Sequence, residues 1–186
     1  MTSSAPSRLR TLDMAYIALF AVLMAVCAWI TVPLPKPFVQ FTLQTFAMFM
    51  VLTTLGGRRG LYAMVVYLLL GAVGVPVFSG FRGGLGVLLD TTGGYIIGFV
   101  AAALVYWPLT AKLGDNLPVM LAACVLGLAV CYTFGTAWFL VVYARVNGPV
   151  GITTALGWCV FPYIIPDLLK LALAVILSKR VKKFLK

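Results

Sequence analysis

The residues best equipped for chemistry sit together in Phe161-Pro162-Tyr163-Ile164-Ile165-Pro166-Asp167-Leu168-Leu169-Lys170. Asp167 and Lys170 are three residues apart, so on a helix they face the same way. They lie inside an otherwise apolar run, and a charge at membrane depth is costly enough that it normally faces a cavity or a partner. Pro162 and Pro166 disturb the backbone ladder here, because Pro166 has no N–H to give to the carbonyl of Pro162. The pair can be a self-neutralising structural element. It can also line a ligand site, in which the carboxylate accepts neutral N–H donors and the ammonium pairs with a ligand carboxylate. Irregular backbone coinciding with both charges favours the ligand site.

Little else in the chain could drive covalent chemistry. Its 186 residues contain no histidine and four carboxylates, Asp13, Asp90, Asp115 and Asp167. That removes imidazole metal sites, histidine-based nucleophile systems and histidine relays. No catalytic carboxylate pair on separate spans and no nucleophile beside a base is legible, so an intramembrane enzyme is not expected. Cys27, Cys124, Cys131 and Cys159 form no C-x-x-C pair. Cys124 and Cys131, seven residues apart in one helix, stand too far apart for a disulfide, and all four read as small apolar fillers. No cofactor and no metal is expected. The glycine-rich stretch between 74 and 98 lacks the Gly-Lys-Ser/Thr ending of a P-loop.

The elements that must position Asp167 and Lys170 follow from composition. Apolar residues make up 63% of the chain and charged ones 10%, with a mean hydropathy of +1.09. Globular chains are about half apolar and about a quarter charged, so most of this chain belongs in lipid. The expected architecture is an all-α integral membrane protein, a six-transmembrane-helix bundle forming a single membrane domain. Its spans fall at 13–31, 41–55, 60–78, 93–109, 117–143 and 154–178, with 179–186 as a basic tail. The run from Ala15 to Val32 is too long for a signal-peptide core and reads as the first span.

The net charge of +10 is mostly topological. Arg8, Arg10, Arg58, Arg59, Lys112, Lys179, Arg180, Lys182, Lys183 and Lys186 collect on one side of the spans. Lys36, Arg82 and Arg145 fall on the other. The positive-inside rule then places both termini in the cytoplasm. The basic tail suits anionic lipid headgroups, and without a base-stacking aromatic platform no nucleic acid is expected.

Three connecting features carry information. Ala15, Ala18, Ala21, Ala25 and Ala28 lay a small-residue stripe along the first span. Such stripes let helix backbones approach closely in lipid, and the contact can be with a helix of the same chain or with another membrane protein. Thr42 and Thr45 are spaced to share a helical face, with Gln44 offset from it. Residues 74–98 hold eight glycines in 25 residues. Irregular backbone of this kind is tolerated at membrane depth only against protein or a wet cavity, so the segment is either a ligand lid or a loop folded over the bundle.

The sequence resembles the BioY family, biotin-binding S components of energy-coupling-factor vitamin transporters. The resemblance rests on the order and spacing of Thr42-Leu43-Gln44-Thr45-Phe46, Gly71-Ala72-Val73-Gly74-Val75-Pro76-Val77-Phe78, Thr92-Gly93-Gly94-Tyr95 with Gly98-Phe99, and Pro166-Asp167-Leu168-Leu169-Lys170. It implies a biotin site near the outer end of the bundle. Asp167 is then the acceptor for a ureido N–H and Lys170 the partner of the valerate carboxylate. Tyr95 packs on or hydrogen-bonds the bicyclic ring, Thr42, Gln44, Gly93 and Gly94 line or shape the pocket, and the glycine-rich connection between the third and fourth spans, 79–92, is the lid. It also implies that Ala18, Ala21 and Ala25 dock on a transmembrane coupling subunit, itself served by two ATPase subunits, in a bacterial cytoplasmic membrane. Asp90-Thr91 departs from the Gly-Pro usual in the family and adds a negative charge near the mouth. The competing expectation is a stand-alone carrier or facilitator for biotin or another small organic acid. It would show inverted repeats or a second set of midplane charges, and the sequence carries neither.

Overall fold

The computed structural model describes residues 10–35 and 38–184. Arg8, Lys36 and Lys186 of the charge asymmetry lie outside the described residues. The elements are α1 (Thr11–Trp29), β1 (Thr31–Val32), β2 (Phe41–Thr42), α2 (Gln44–Leu55), α3 (Gly57–Val73), α4 (Leu85–Leu89), α5 (Gly93–Leu113), α6 (Leu117–Asn147), α7 (Ile152–Cys159) and α8 (Phe161–Val181). Among the described residues, α1, α5, α6 and the run 152–181 are long and apolar enough to cross a membrane. This is a multi-pass membrane protein. Helices suit it because a spanning segment must satisfy its own backbone polar groups.

Local sequence sets the ends of these helices. Asn116 caps α6 by accepting from the N–H of Val119 at 3.1 Å, and Pro118 follows in the first turn, where a missing donor costs nothing. Gly74 closes α3 with φ 111°, a left-handed conformation that a side chain resists. It therefore ends the helix at Val73, short of the expected 78. Gly56, with φ 80°, forms the joint between α2 and α3, so Gly57 to Gly60 begin a helix and do not form a longer turn.

The membrane segment expected at 154–178 is two helices. The break falls at Val160, whose φ of −127° and ψ of −59° leave the helical region. Pro162 then occupies the first turn of α8, and Pro166 is accommodated inside it. A second difference lies at the start of α2. Phe41 and Thr42 pair antiparallel with Val32 and Thr31, so the architecture is not purely helical and Thr42 does not share a helical face with Thr45.

Helices α5 and α6 pack closely because small residues on each admit the other. Gly127 lies against Ala102, Gly98 against Cys131, and Gly135 against the ring of Tyr95. Short helix α2 is almost wholly buried from Ala47 to Leu55 and packs against α8, which sets the position of Thr45. The small-residue stripe of α1 divides between two surroundings. Ala21 and Ala25 are buried, with 2% and 4% exposure, whereas Ala18 is exposed. Ala21 and Ala25 thus serve contacts within the chain, α1 packing on α2 and α3, and the three alanines do not form one outward face.

Candidate functional site

A cavity opens at the end of the bundle where α1 finishes and α2 begins. Its volume is about 80 Å³. Its floor is the α8 pair. Lys170 Nζ lies 2.7 Å from Asp167 Oδ1, and the residues are 8% and 2% exposed respectively. Thr45 donates to the same Oδ1 at 2.8 Å. Tyr132, from α6, donates to Oδ2 at 2.6 Å. An ionised carboxylate offers about four acceptor positions. Described residues fill three of them, which leaves Oδ2 able to take one more N–H or O–H donor.

Lys170 differs in this respect. Its ammonium donates to Asp167, to the Thr42 carbonyl at 2.8 Å and to Thr45 Oγ1 at 3.0 Å. It also sits 4.1 Å from the ring centre of Phe41, a cation–π contact. An ammonium has three protons, and all three are committed. The expected direct ion pair between Lys170 and a ligand carboxylate would require breaking one of these bonds. In this arrangement Lys170 positions Asp167 and ties β2 and α2 to α8.

The other residues singled out by the sequence fall in distinct places. Thr42 lines the cavity from β2, its hydroxyl accepting from Gln44 N at 3.2 Å. Gln44 lines it from the first turn of α2 and donates through Nε2 to Tyr67 Oη at 2.6 Å. Tyr67 in turn donates to the Val77 carbonyl at 3.2 Å, so Gln44 is linked to the start of the glycine-rich connection. Tyr95 lines the wall from α5, with Oη 2.9 Å from Thr136 Oγ1. Gly93 and Gly94 are not among the lining residues. A Cβ on Gly93 would collide with the Leu88 carbonyl, and one on Gly94 with the Trp138 side chain. They act by close packing, Gly93 bringing α4 onto α5 and Gly94 bringing α6 onto α5.

Sequence reasoning missed several lining residues. Tyr132 was one apolar-helix tyrosine among others, and nothing local marks it as a partner of Asp167. Tyr163, which donates to the Val39 carbonyl, stood inside the Pro-rich motif without a role. Arg82 was read as a topology charge, yet it lines the cavity. An isolated basic residue in a glycine-rich connection on the side poor in positive charge was the available signal.

The glycine-rich connection lines the cavity with Phe78, Ser79, Arg82 and Val87 and is held by a network of contacts. Phe78, fully buried, forms an antiparallel bridge with Arg82, its N–H donating to the Arg82 carbonyl. Ser79 donates to Gln40 Oε1 at 2.7 Å and lies 3.0 Å from Thr31 Oγ1. Trp29 donates to the Pro76 carbonyl at 2.9 Å and stacks on Phe81, with ring centres 4.9 Å apart. The connection is thus held to the end of α1.

A buried ion pair, a largely apolar wall and a glycine-rich connection held to the end of α1 line one cavity within a bundle of apolar helices, the architecture of a multi-pass membrane protein with an internal site. The BioY family model matches residues 1–186. The biotin transporter BioY of Thermotoga maritima is 38% identical over 165 residues, covering 89% of this chain and 92% of that protein. The probable biotin transporter BioY of Pyrococcus horikoshii is 37% identical over 170 residues, covering 91% and 96%. The crystal structure of an S-component for biotin from an ECF-type ABC transporter shares the fold, with a TM-score of 0.79 at 22% identity over 97% of this chain and 95% of that one. The chain belongs to the BioY family.

Proposed function

We propose that this protein is the biotin-binding subunit of a vitamin uptake transporter, capturing biotin at the outer face of a bacterial cytoplasmic membrane. The observation that carries this reading is the chemistry of Asp167. It is a buried carboxylate held by Lys170, Thr45 and Tyr132 with one acceptor position left on Oδ2, suited to a neutral N–H donor such as a ureido group. Tyr95 lines the same cavity and offers an aromatic ring to a bicyclic ligand. The names of the relatives support biotin over other ureido compounds.

On this reading the chain is a single membrane domain. Helices α2 and α3 complete six spans with the four long ones, both termini lie in the cytoplasm and the 79–92 connection is the lid. The protein performs no covalent chemistry. Active uptake then requires a transmembrane coupling subunit and two ATPase subunits, with Ala18 as an exposed member of the α1 stripe available for docking and the basic tail against lipid headgroups. Calorimetry of the purified chain offered biotin, thiamine and riboflavin tests the binding step. Saturable heat with biotin alone, lost in the Asp167→Ala/Lys170→Ala double variant, is expected. No discrimination among the three vitamins, or equal biotin binding by the double variant, would overturn the reading.

A further inference from the structure

Among the described residues, the charges lining the cavity are those of Asp167, Lys170 and Arg82. The first two neutralise one another through a 2.7 Å contact, so the excess positive charge is that of Arg82. Arg82 lines both the cavity and the vestibule outside it, and its side chain is 44% exposed. It stands at the end of a tight turn fixed by the hydrogen bond from Phe78 N to its own carbonyl at 2.9 Å. Its Nε donates to the Ser79 carbonyl at 3.2 Å, which orients the plane of the guanidinium.

The far end of that group is loosely held. Nη1 lies 3.7 Å from Asp90 Oδ2, beyond hydrogen-bond range. Asp90 is at the other end of the same connection, and its Oδ1 is occupied by Thr91, which donates from N at 2.7 Å and from Oγ1 at 3.3 Å. A guanidinium carries five N–H donors in a fork that matches a carboxylate in two-point fashion. Arg82 therefore retains the donor capacity that Lys170 has committed.

We propose that Arg82 is the carboxylate receptor of this site and Asp90 its displaceable counter-ion. The site would then take a ligand with a neutral N–H donor at Asp167 and a single carboxylate at the mouth. This deepens the proposed function and rests on it. On entry the ligand carboxylate replaces Asp90 Oδ2 on the Nη groups. Asp90 keeps its Thr91 bonds, so the exchange costs only the long ion pair. The charge stays balanced: a monoanion enters a cavity whose lining carries one excess positive charge, and Asp90 turns to the vestibule it already lines. The same exchange disfavours analogues whose carboxylate is masked, because they cannot release Arg82 from Asp90.

Biotin and its neutral carboxamide, biotinamide, are the probes. Calorimetry on the full purified chain compares both ligands in the unaltered protein, Arg82→Gln, Arg82→Lys and Asp90→Asn. A charge-assisted, two-point contact predicts that the unaltered protein prefers biotin by about 10- to 100-fold. Arg82→Gln should reduce that preference to near unity while leaving biotinamide affinity within about twofold, the difference lying in the carboxylate contact alone. Arg82→Lys keeps the charge without the fork, so an intermediate preference is expected and the test survives if the Gln variant fails to fold. Asp90→Asn should maintain or raise the preference. A preference retained in Arg82→Gln, equal losses for both ligands, or a selective loss of biotin in Asp90→Asn would overturn this inference while biotin binding by the unaltered protein stands. Binding of neither ligand by the unaltered protein would overturn the proposed function and this inference with it.

Discussion

Replacing Lys170 by Met keeps the length of the side chain and removes its charge, leaving Asp167 at 2% exposure with the Tyr132 and Thr45 bonds alone. At an effective dielectric of about 20, unit charges 2.7 Å apart attract by about 6 kcal/mol. Desolvation of both groups offsets most of this, so the pair's net worth is small, but stripping one partner from a buried pair costs about 3–5 kcal/mol. Two retained hydrogen bonds place Lys170→Met at about 3 kcal/mol. Asp167→Asn strands the ammonium instead. It keeps the Thr42 carbonyl, Thr45 Oγ1 and the Phe41 ring as partners, so a similar cost is expected.

The double variant contains no stranded charge and should cost no more than either single change. A thermodynamic cycle then gives a coupling of about 3 kcal/mol. Equilibrium unfolding of the four proteins in mixed micelles, titrated with SDS, measures it. Single costs that add to the double cost within about 0.5 kcal/mol would refute the claim that these charges neutralise each other.

Two further outcomes follow from packing. Gly93→Ala should destabilise the protein by about 1–3 kcal/mol, because the atom its Cβ meets is the Leu88 carbonyl, part of the backbone; Gly86→Ala, where a Cβ meets nothing within 4 Å, should be neutral or stabilising, and thermal melts of the two variants in detergent check the contrast. Cys131 and Cys159 line the cavity, whereas Cys27 and Cys124 do not. Biotin should therefore slow modification of the first two by a small methanethiosulfonate reagent and leave the others unchanged, and peptide mass spectrometry after timed labelling gives the rates.

The opposition between sequence and structure is sharpest along α1 and around Lys170. The alanine spacing correctly marks a close helix contact but not which neighbour receives it, and Ala21 and Ala25 turn inward while Ala18 does not. In water an amphipathic stripe reveals the buried face of a helix. In lipid both faces are apolar, so the pattern that identifies the inner face of a soluble helix is absent. For Lys170, the i, i+3 spacing is enough to pair it with Asp167. It does not reveal that Thr42 and Thr45, more than 120 residues earlier in sequence, consume its other two protons.

Charge and hydropathy by themselves determined a multi-pass helical membrane protein, because a spanning segment has to be continuous, apolar and internally hydrogen-bonded. They also isolated Asp167 and Lys170, since a charge in lipid is too costly to be incidental. Tertiary structure alone decided the rest of the site. Packing of α2 on α8 brings Thr45 to the pair, α6 delivers Tyr132, and the turn after Phe78 carries Arg82 from a connection that read as topology to the cavity lining. Each of those placements depends on contacts between segments far apart in the chain, and no local spacing encodes them.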